Sequence, residues 1–289
     1  MAEPAPPRIL FVENDDAARE ALVPALEHRG WRVELCASPG EAEARLAAVF
    51  YDLLIVDIDL AGGAGRDWLP RVRAMRPGTR ILVMTAEGTP ASVLSAIREQ
   101  AFSFFTKPFS PRAVADMAEL ALATPSWTGD IEIISAAPHW VSLWVRCKLE
   151  NTERIVQFIR EIQTDLTPDQ REDAAVALRE LLLNAVEHGC HSDSRKRIRV
   201  SYIRTARSIV YHIEDPGAGF SFGSIAHSAV ANPPDEPVKH LDIRAEQGFR
   251  PGGFGILLTR SLADELIYSE KGNEVLFVKY LKAGTRSGE

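Results

Sequence analysis

Cysteines and long apolar runs are scarce in this sequence, and each scarcity excludes a class of protein. The 289 residues include three cysteines, Cys36, Cys147 and Cys190, which form neither a C-x-x-C pair nor a disulfide framework. No stretch approaches the roughly 18 consecutive apolar residues of a membrane span, and the opening M-A-E-P-A-P-P-R has no apolar signal region. The sequence therefore predicts a protein of the reducing cytoplasm.

A basic excess is also missing. The net charge of -7 and the isoelectric point near 5.6 create no positive field, which disfavours direct binding to nucleic acid or to an anionic membrane. Hydrophobic residues make up 46% of the chain and charged residues 25%, as in ordinary soluble globular proteins. Because 289 residues exceed the roughly 100 to 200 of a single domain, two domains are expected.

The first half alternates short apolar runs with helical patterns from Arg8 to Ala123. This alternation is typical of a parallel sheet with crossover helices, so it predicts a doubly wound, five-stranded α/β domain at residues 1–123. The five apolar runs occupy residues 9–12, 33–35, 53–56, 81–84 and 102–105.

Polar residues follow four of the predicted strands. Glu13 to Asp16 follow the first strand, Asp57 ends the third, Thr85 ends the fourth and Lys107 follows the fifth. Ligands of such sheets bind beyond the carboxyl ends of the strands. Clustered carboxylates repel each other unless a cation joins them, so Glu13 and Asp57 together predict a Mg²⁺ site, with Lys107 as a fixed positive charge.

This pattern resembles the receiver domain of bacterial response regulators, a flavodoxin-like fold, over residues 8–123. The resemblance implies that Asp57 is the phosphoacceptor and that the hydroxyl of Thr85 follows the phosphoryl group. It also implies that Lys107 is the salt-bridge partner and Phe104 the aromatic switch.

The same resemblance implies a receiver Mg²⁺ held by Glu13, Asn14, Asp57 and the backbone of Asp59. The chain departs from the family at this site. Asn14 stands where a second acidic ligand is usual, Ala61 replaces the usual proline, and Asp59 and Glu87 add negative charge. Two hypotheses stay open, a functional phosphoacceptor or a receiver kept as a docking surface.

The composition changes at residues 124–129, T-P-S-W-T-G, which predicts a linker before a second domain at 130–289. The central feature of that domain is R-E-L-L-L-N-A-V-E-H-G, residues 179–189. We predict a helix from the capping box at Thr167 to Gly189, with Glu180, Asn184 and His188 on one face because they are four residues apart. Taken alone, this pattern is more typical of an amphipathic helix with solvated polar residues.

Two glycine-rich motifs follow. In D-P-G-A-G-F, Gly217 and Gly219 permit close approach of a ligand to the backbone, and the carboxylate of Asp215 can accept a hydrogen bond from an amine such as that of adenine. The intervening residues 221–250 lack periodicity and predict a lid. The second motif places backbone N–H groups at a helix N-terminus, which suits phosphate oxygens; its glycines are Gly252, Gly253 and Gly255.

Together the three motifs resemble the α/β-sandwich ATPase domain shared by histidine kinases, gyrase and Hsp90, and most closely its anti-sigma-factor serine kinase branch, over residues 130–282. The resemblance implies ATP and Mg²⁺ as cofactors. It further implies that Asn184 holds the Mg²⁺ of Mg-ATP, Asp215 contacts adenine, and Glu180 orients and deprotonates the attacking hydroxyl. His188 and the glycines would complete the nucleotide site.

The resemblances imply a response regulator whose output is an ATP-dependent protein serine/threonine kinase. The expected partners are a STAS-type anti-sigma-factor antagonist, a sigma factor and an upstream histidine kinase or phosphotransfer protein; a homodimer is also possible. One alternative is a non-catalytic, ATP-binding module that sequesters a partner. Another is a histidine kinase acting in trans, since the linker is too short for a dimerising helical hairpin.

Overall fold

The computed structural model describes residues 5–137, 139–162, 165–219 and 255–281, with the backbone alone for residues 61–67. The chain divides into two compact units, Met1–Gly129 and Asp130–Glu289. Each unit is built around one sheet.

The first unit alternates strands and helices. Side-chain caps start most of its helices: Asp15, Ser38, Thr89 and Ser110 each accept a hydrogen bond from a backbone N–H of the first turn. The strands are β1 (Arg8–Val12), β2 (Arg32–Cys36), β3 (Leu53–Asp57), β4 (Arg80–Thr85) and β5 (Ser103–Thr106), and the helices are α1 (Asp16–Glu27), α2 (Pro39–Ala48), α3 (Leu60–Met75), α4 (Pro90–Arg98) and α5 (Pro111–Ala123).

The five strands form one parallel sheet in the order β2-β1-β3-β4-β5. All five residues of the central strand β3 are buried, which explains its continuous apolar run. The predicted doubly wound fold is confirmed, and the carboxyl ends of β1, β3, β4 and β5 meet along one edge.

The predicted linker packs onto the first unit. Trp127 is 4% exposed and belongs to the core cluster beneath α5. Its Nε1–H donates to the backbone oxygen of Gln100 at 3.2 Å, and the guanidinium of Arg80 lies 5.0 Å from its ring centre. Residues 124–129 therefore contribute to the stability of this unit as well as connecting it to the next.

The second unit is an antiparallel sheet with helices. Burial alternates along β9, so one face of that strand is covered and the other is more open. The strands are β6 (Ile131–Ala137), β7 (Trp140–Arg146), β8 (Arg197–Arg204), β9 (Ser208–Glu214), β10 (Glu265–Tyr268) and β11 (Glu274–Tyr280), and the helices are α6 (Leu149–Ile162), α7 (Pro168–Asn184) and α8 (Gly255–Leu262).

These strands run in the order β10-β11-β9-β8-β7-β6, and α7 packs against α6 and α8. The expected α/β sandwich is confirmed. The capping box at Thr167 and Gln170 is present and starts α7, as predicted.

The helix that carries the first motif ends differently from our expectation. The α-helix stops at Asn184, and Ala185–Gly189 form a π-helical turn in which the N–H of Cys190 donates to the oxygen of Ala185 at 2.8 Å. Glu180 and Asn184 share a helix face. His188 lies one turn further on, within the π-helical turn, and its place in the same row stays a prediction.

Two cysteines that we expected to be separate are bonded. Cys147, after β7, and Cys190, after the π-helical turn, form a disulfide with their Cα atoms 6.3 Å apart. A separation of 43 residues in sequence gave no indication of this proximity. Cys36 is buried as a free thiol.

No helix within the described ranges combines the length and the apolar character needed to cross a bilayer.

Candidate phosphoacceptor and nucleotide sites

Lys107 joins two carboxylates at the edge of the parallel sheet. Its Nζ lies 2.7 Å from Glu13 Oε2 and 2.7 Å from Asp57 Oδ2. Glu13 is 0% exposed and Asp57 5% exposed. Burial by itself would lower the pKa of Lys107, but the hydrogen bonds to Asp57 and Glu13 outweigh it and raise the pKa. The predicted partnership of Asp57 and Lys107 therefore has the geometry of a strong, partly buried ion pair.

The loop after β1 fixes Glu13 in place. The backbone N–H groups of Asn14 and Asp15 both donate to Glu13 Oε1 at 3.0 Å. The carboxylate of Asp15 caps α1 by accepting from Ala17 N–H at 3.0 Å. Asn14 is exposed.

The described residues contain no cluster of three or more acidic, histidine or cysteine side chains that could hold a metal. The two carboxylates on this edge carry the hard oxygen atoms that Mg²⁺ prefers, and Lys107 lies between them. Mg²⁺ binding by Glu13, Asn14, Asp57 and Asp59 thus stays a prediction.

The side chain of Asp59 makes contacts that the sequence did not predict. One of its oxygens, Oδ2, accepts from the hydroxyl of Thr85 at 2.6 Å and from the N–H of Ala86 at 2.7 Å. The N–H of Asp59 donates to Asp57 Oδ1 at 2.8 Å. The hydroxyl expected to follow a phosphoryl group is therefore already donated to a carboxylate two residues beyond Asp57. Phe104, the predicted switch residue, is fully buried on β5.

In the second unit, Glu180 lies against the start of α8. A Cβ atom on Gly255, the first residue of α8, would lie 2.6 Å from Glu180 Oε2. Glycine at this position therefore lets the first motif and the glycine-rich turn meet at the positive end of a helix. Asn184 is half-buried at the C-terminus of α7, one turn beyond Glu180.

Asp215 lies at a second meeting point of the motifs. Its Oδ1 accepts from Gly217 N–H at 2.7 Å, and a Cβ on Gly189 would overlap the Asp215 carboxylate. A Cβ on Gly217 would lie 2.9 Å from Gly189 Cα. Burial raises the pKa of Asp215. Because only glycine fits on both sides, the carboxylate is held in a narrow cradle formed by the end of the first motif and the second motif.

The structure thus brings the predicted catalytic residue and three predicted ATP-binding residues into two pairs of contacts, Glu180 with Gly255 and Asp215 with Gly217. Sequence reasoning did not include Gly189 among the site residues, although a glycine at the end of a predicted helix is a recognisable signal. His188 is exposed on the π-helical turn. Gly252, Gly253 and the predicted lid at 221–250 lie outside the described residues.

The Asp215 carboxylate and the glycines around it fit an adenine nucleotide, because the exocyclic amine of adenine needs a hydrogen-bond acceptor.

Two family models match the chain. The response regulator receiver domain matches residues 9–119, and the histidine kinase-like ATPase domain matches residues 145–279. This chain is a receiver domain followed by a histidine kinase-like ATPase domain. Both resemblances stated from the sequence are confirmed at that level, while the anti-sigma-factor kinase subtype is a finer distinction than these models make.

Individual relatives cover parts of this two-domain protein. The DNA-binding transcriptional regulator NtrC of Azospirillum brasilense is 32% identical over 39% of this chain and 24% of its own length. The acid tolerance regulatory protein ActR of Rhizobium meliloti is 31% identical over 35% of this chain and 52% of its own. The chain therefore spans about a quarter to half of these curated relatives. A solved CheY-like receiver domain from Methanospirillum hungatei JF-1 is 27% identical, covering 41% of this chain and 94% of its own, with a TM-score of 0.39.

Proposed function

We propose that the ATPase domain is an ATP-dependent protein serine/threonine kinase of the anti-sigma-factor type, and that the receiver controls it through phosphorylation at Asp57. The observation that carries the proposal is the contact between Glu180 and Gly255. It brings a carboxylate to the helix start where a phosphate chain would bind.

Glu180 is suited by position to act as the general base. A base must lie within hydrogen-bond reach of the proton it removes, and a site beside the phosphate-binding turn meets that need for a hydroxyl that attacks a terminal phosphate. The 29% exposure of its side chain leaves it accessible to a partner protein. Asn184, one turn away, would hold Mg²⁺, which supplies charge neutralisation at the phosphates.

The proposed substrate is a serine or threonine hydroxyl on a small partner, a STAS-type antagonist, with a sigma factor as a second client and a homodimer as the working form. An upstream histidine kinase or phosphotransfer protein would phosphorylate Asp57.

Control by the receiver requires a large change in the balance between two states of the protein. Moving the ratio of active to inactive protein from 1:99 to 99:1 takes about 5.5 kcal/mol of differential interaction. Asp57 accepts hydrogen bonds from Lys107 and from the N–H of Asp59, whose carboxylate in turn accepts from Thr85. A phosphoryl group at Asp57 would therefore act directly on the first two bonds and reach Thr85 through Asp59.

The test is phosphate transfer from labelled ATP. The full chain is incubated with Mg²⁺ and a co-purified partner, with and without a small phosphodonor. Glu180→Gln removes the proposed base, and Glu172→Gln, a matched glutamate on the exposed surface of α7, serves as the control. Acid-stable label on the partner that is lost only in Glu180→Gln is the expected result.

Two other outcomes would overturn the proposal. Acid-labile label would indicate phosphorylation of a histidine in trans. A stable ATP-dependent complex without transfer would indicate a non-catalytic sequestering module. The regulatory part fails if Asp57→Ala leaves the response to the phosphodonor unchanged.

A further inference from the structure

The turn between β10 and β11 lies directly against the Asp215 loop. Gly272 has a φ of +79° and its N–H donates to the oxygen of Ser269 at 2.9 Å, which closes a tight hairpin turn. Gly219 has a φ of +78°, and a Cβ there would overlap the backbone oxygen of Lys271. The hairpin turn and the D-P-G-A-G-F loop are therefore packed backbone to backbone.

Asn273, the last residue of this turn, holds Asp215 at two points. Its backbone oxygen accepts from Asp215 N–H at 3.0 Å, and its side-chain Nδ2 donates to the backbone oxygen of Asp215 at 3.0 Å. The neighbouring pair, Glu274 and Glu214, belongs to the regular β11–β9 ladder. In a regular antiparallel ladder the backbone supplies both bonds, and any residue other than proline would serve. Here one bond comes from a side chain, so the residue type matters.

The two hydrogen bonds with Asn273, here called the Asn273 clamp, hold the backbone of Asp215. The position of that backbone sets the direction of the Asp215 carboxylate. Gly217 N–H takes up Oδ1, so Oδ2 is the oxygen expected to accept from an adenine amine. A side chain one carbon long follows its backbone closely, and a small rotation of Asp215 would misdirect Oδ2.

We propose that Asn273 is a positioning residue for base recognition, and that it makes the site select adenine over bases without the exocyclic amine. The inference rests on the proposed nucleotide site at Asp215. It assigns a role in that site to the hairpin turn, which lies 58 residues further along the chain.

The experiment compares ATP with ITP, whose base lacks the amine, by calorimetric titration of the full chain. Asn273→Ala removes the donor, and Asn273→Asp keeps the size but cannot donate. We expect the dissociation constant of ATP to rise about three- to tenfold in both variants, which corresponds to the loss of one hydrogen bond. The dissociation constant of ITP should not change. Glu270→Gln, an exposed residue of the same turn, should bind both nucleotides like the wild type.

Each other result has a distinct meaning. Equal weakening of ATP and ITP would show that Asn273 merely stabilises the fold, and unchanged ATP affinity in both variants would show that the clamp is unnecessary; either result overturns the inference alone. A wild-type protein that binds ATP and ITP equally, with Asp215→Ala no different, would overturn the adenine site and the inference with it.

Discussion

Removing Lys107 should destabilise the receiver unit far more than removing an exposed charge. Its ammonium is the shared partner of Glu13 and Asp57, both at 2.7 Å, and the lysine side chain is only 17% exposed. In Lys107→Met the two neighbouring carboxylates lose that partner in a buried setting and repel each other. Breaking a buried ion pair costs about 3 to 5 kcal/mol, and the partial exposure of the lysine places the expected loss at about 3 kcal/mol.

Arg112→Met provides the matched control. Arg112 pairs with Asp116 at 3.8 Å, and its side chain is 90% exposed. Solvent screens such a pair, so its loss should cost less than about 0.5 kcal/mol. Hydrogen–deuterium exchange of β1, β3 and β4 peptides in the full chain, measured across a urea series, reports the unfolding free energy of this unit separately from the ATPase domain.

The pH dependence follows from the raised pKa of Lys107. The stabilisation is fully present below the ordinary value of 10.5 and is lost as the pH rises through the raised folded value. The gap between wild type and Lys107→Met should therefore be the same at about pH 7 and about pH 9. A gap below about 0.5 kcal/mol at both would refute the reasoning.

The same measurement tests the predicted Mg²⁺ site. With the ammonium gone, a divalent cation can join Glu13 and Asp57, and it should restore about 1.4 kcal/mol at tenfold excess over its dissociation constant. No stabilisation of Lys107→Met by Mg²⁺ would contradict the predicted site.

Three further changes have defined outcomes. Asp59→Asn removes a negative charge beside Asp57 and should speed phosphorylation by an anionic phosphodonor about tenfold, seen as a mobility shift absent from an Asp57→Asn control. Asp215 carries a pKa raised by burial, so its ionised form destabilises the fold at neutral pH, and that cost disappears as the pH falls through the folded pKa. In Asp215→Asn the amide oxygen can still accept from Gly217 N–H. The substitution should therefore raise the melting temperature of the nucleotide-free protein and weaken ATP binding. A lowered melting temperature would contradict this reasoning. Trp127→Ala should cost the receiver unit about 3 kcal/mol through the cavity it leaves, and a cost below about 1 kcal/mol would show that the linker packs loosely.

Local pattern in the sequence was sufficient to predict both folds. The strands and helices follow apolar periodicity, and the helix starts follow short-range caps such as Thr89 and Thr167, because these signals act within a few residues. The placement of Asp57 and Lys107 along one edge of the sheet followed from the parallel arrangement alone, since such a sheet gathers the carboxyl ends of its strands.

The tertiary structure decided the contacts between distant segments that lie outside the strand pattern. Asp59 and Thr85 are 26 residues apart, Cys147 and Cys190 are 43 apart, and Asn273 and Asp215 are 58 apart. No periodicity or motif spacing encodes such pairs, because they depend on which loops the sheet topology brings to one edge. The π-helical turn after Asn184 is a local exception: the sequence shows no proline or glycine before Gly189 to break the helix, so the departure became visible only in the backbone hydrogen bonds.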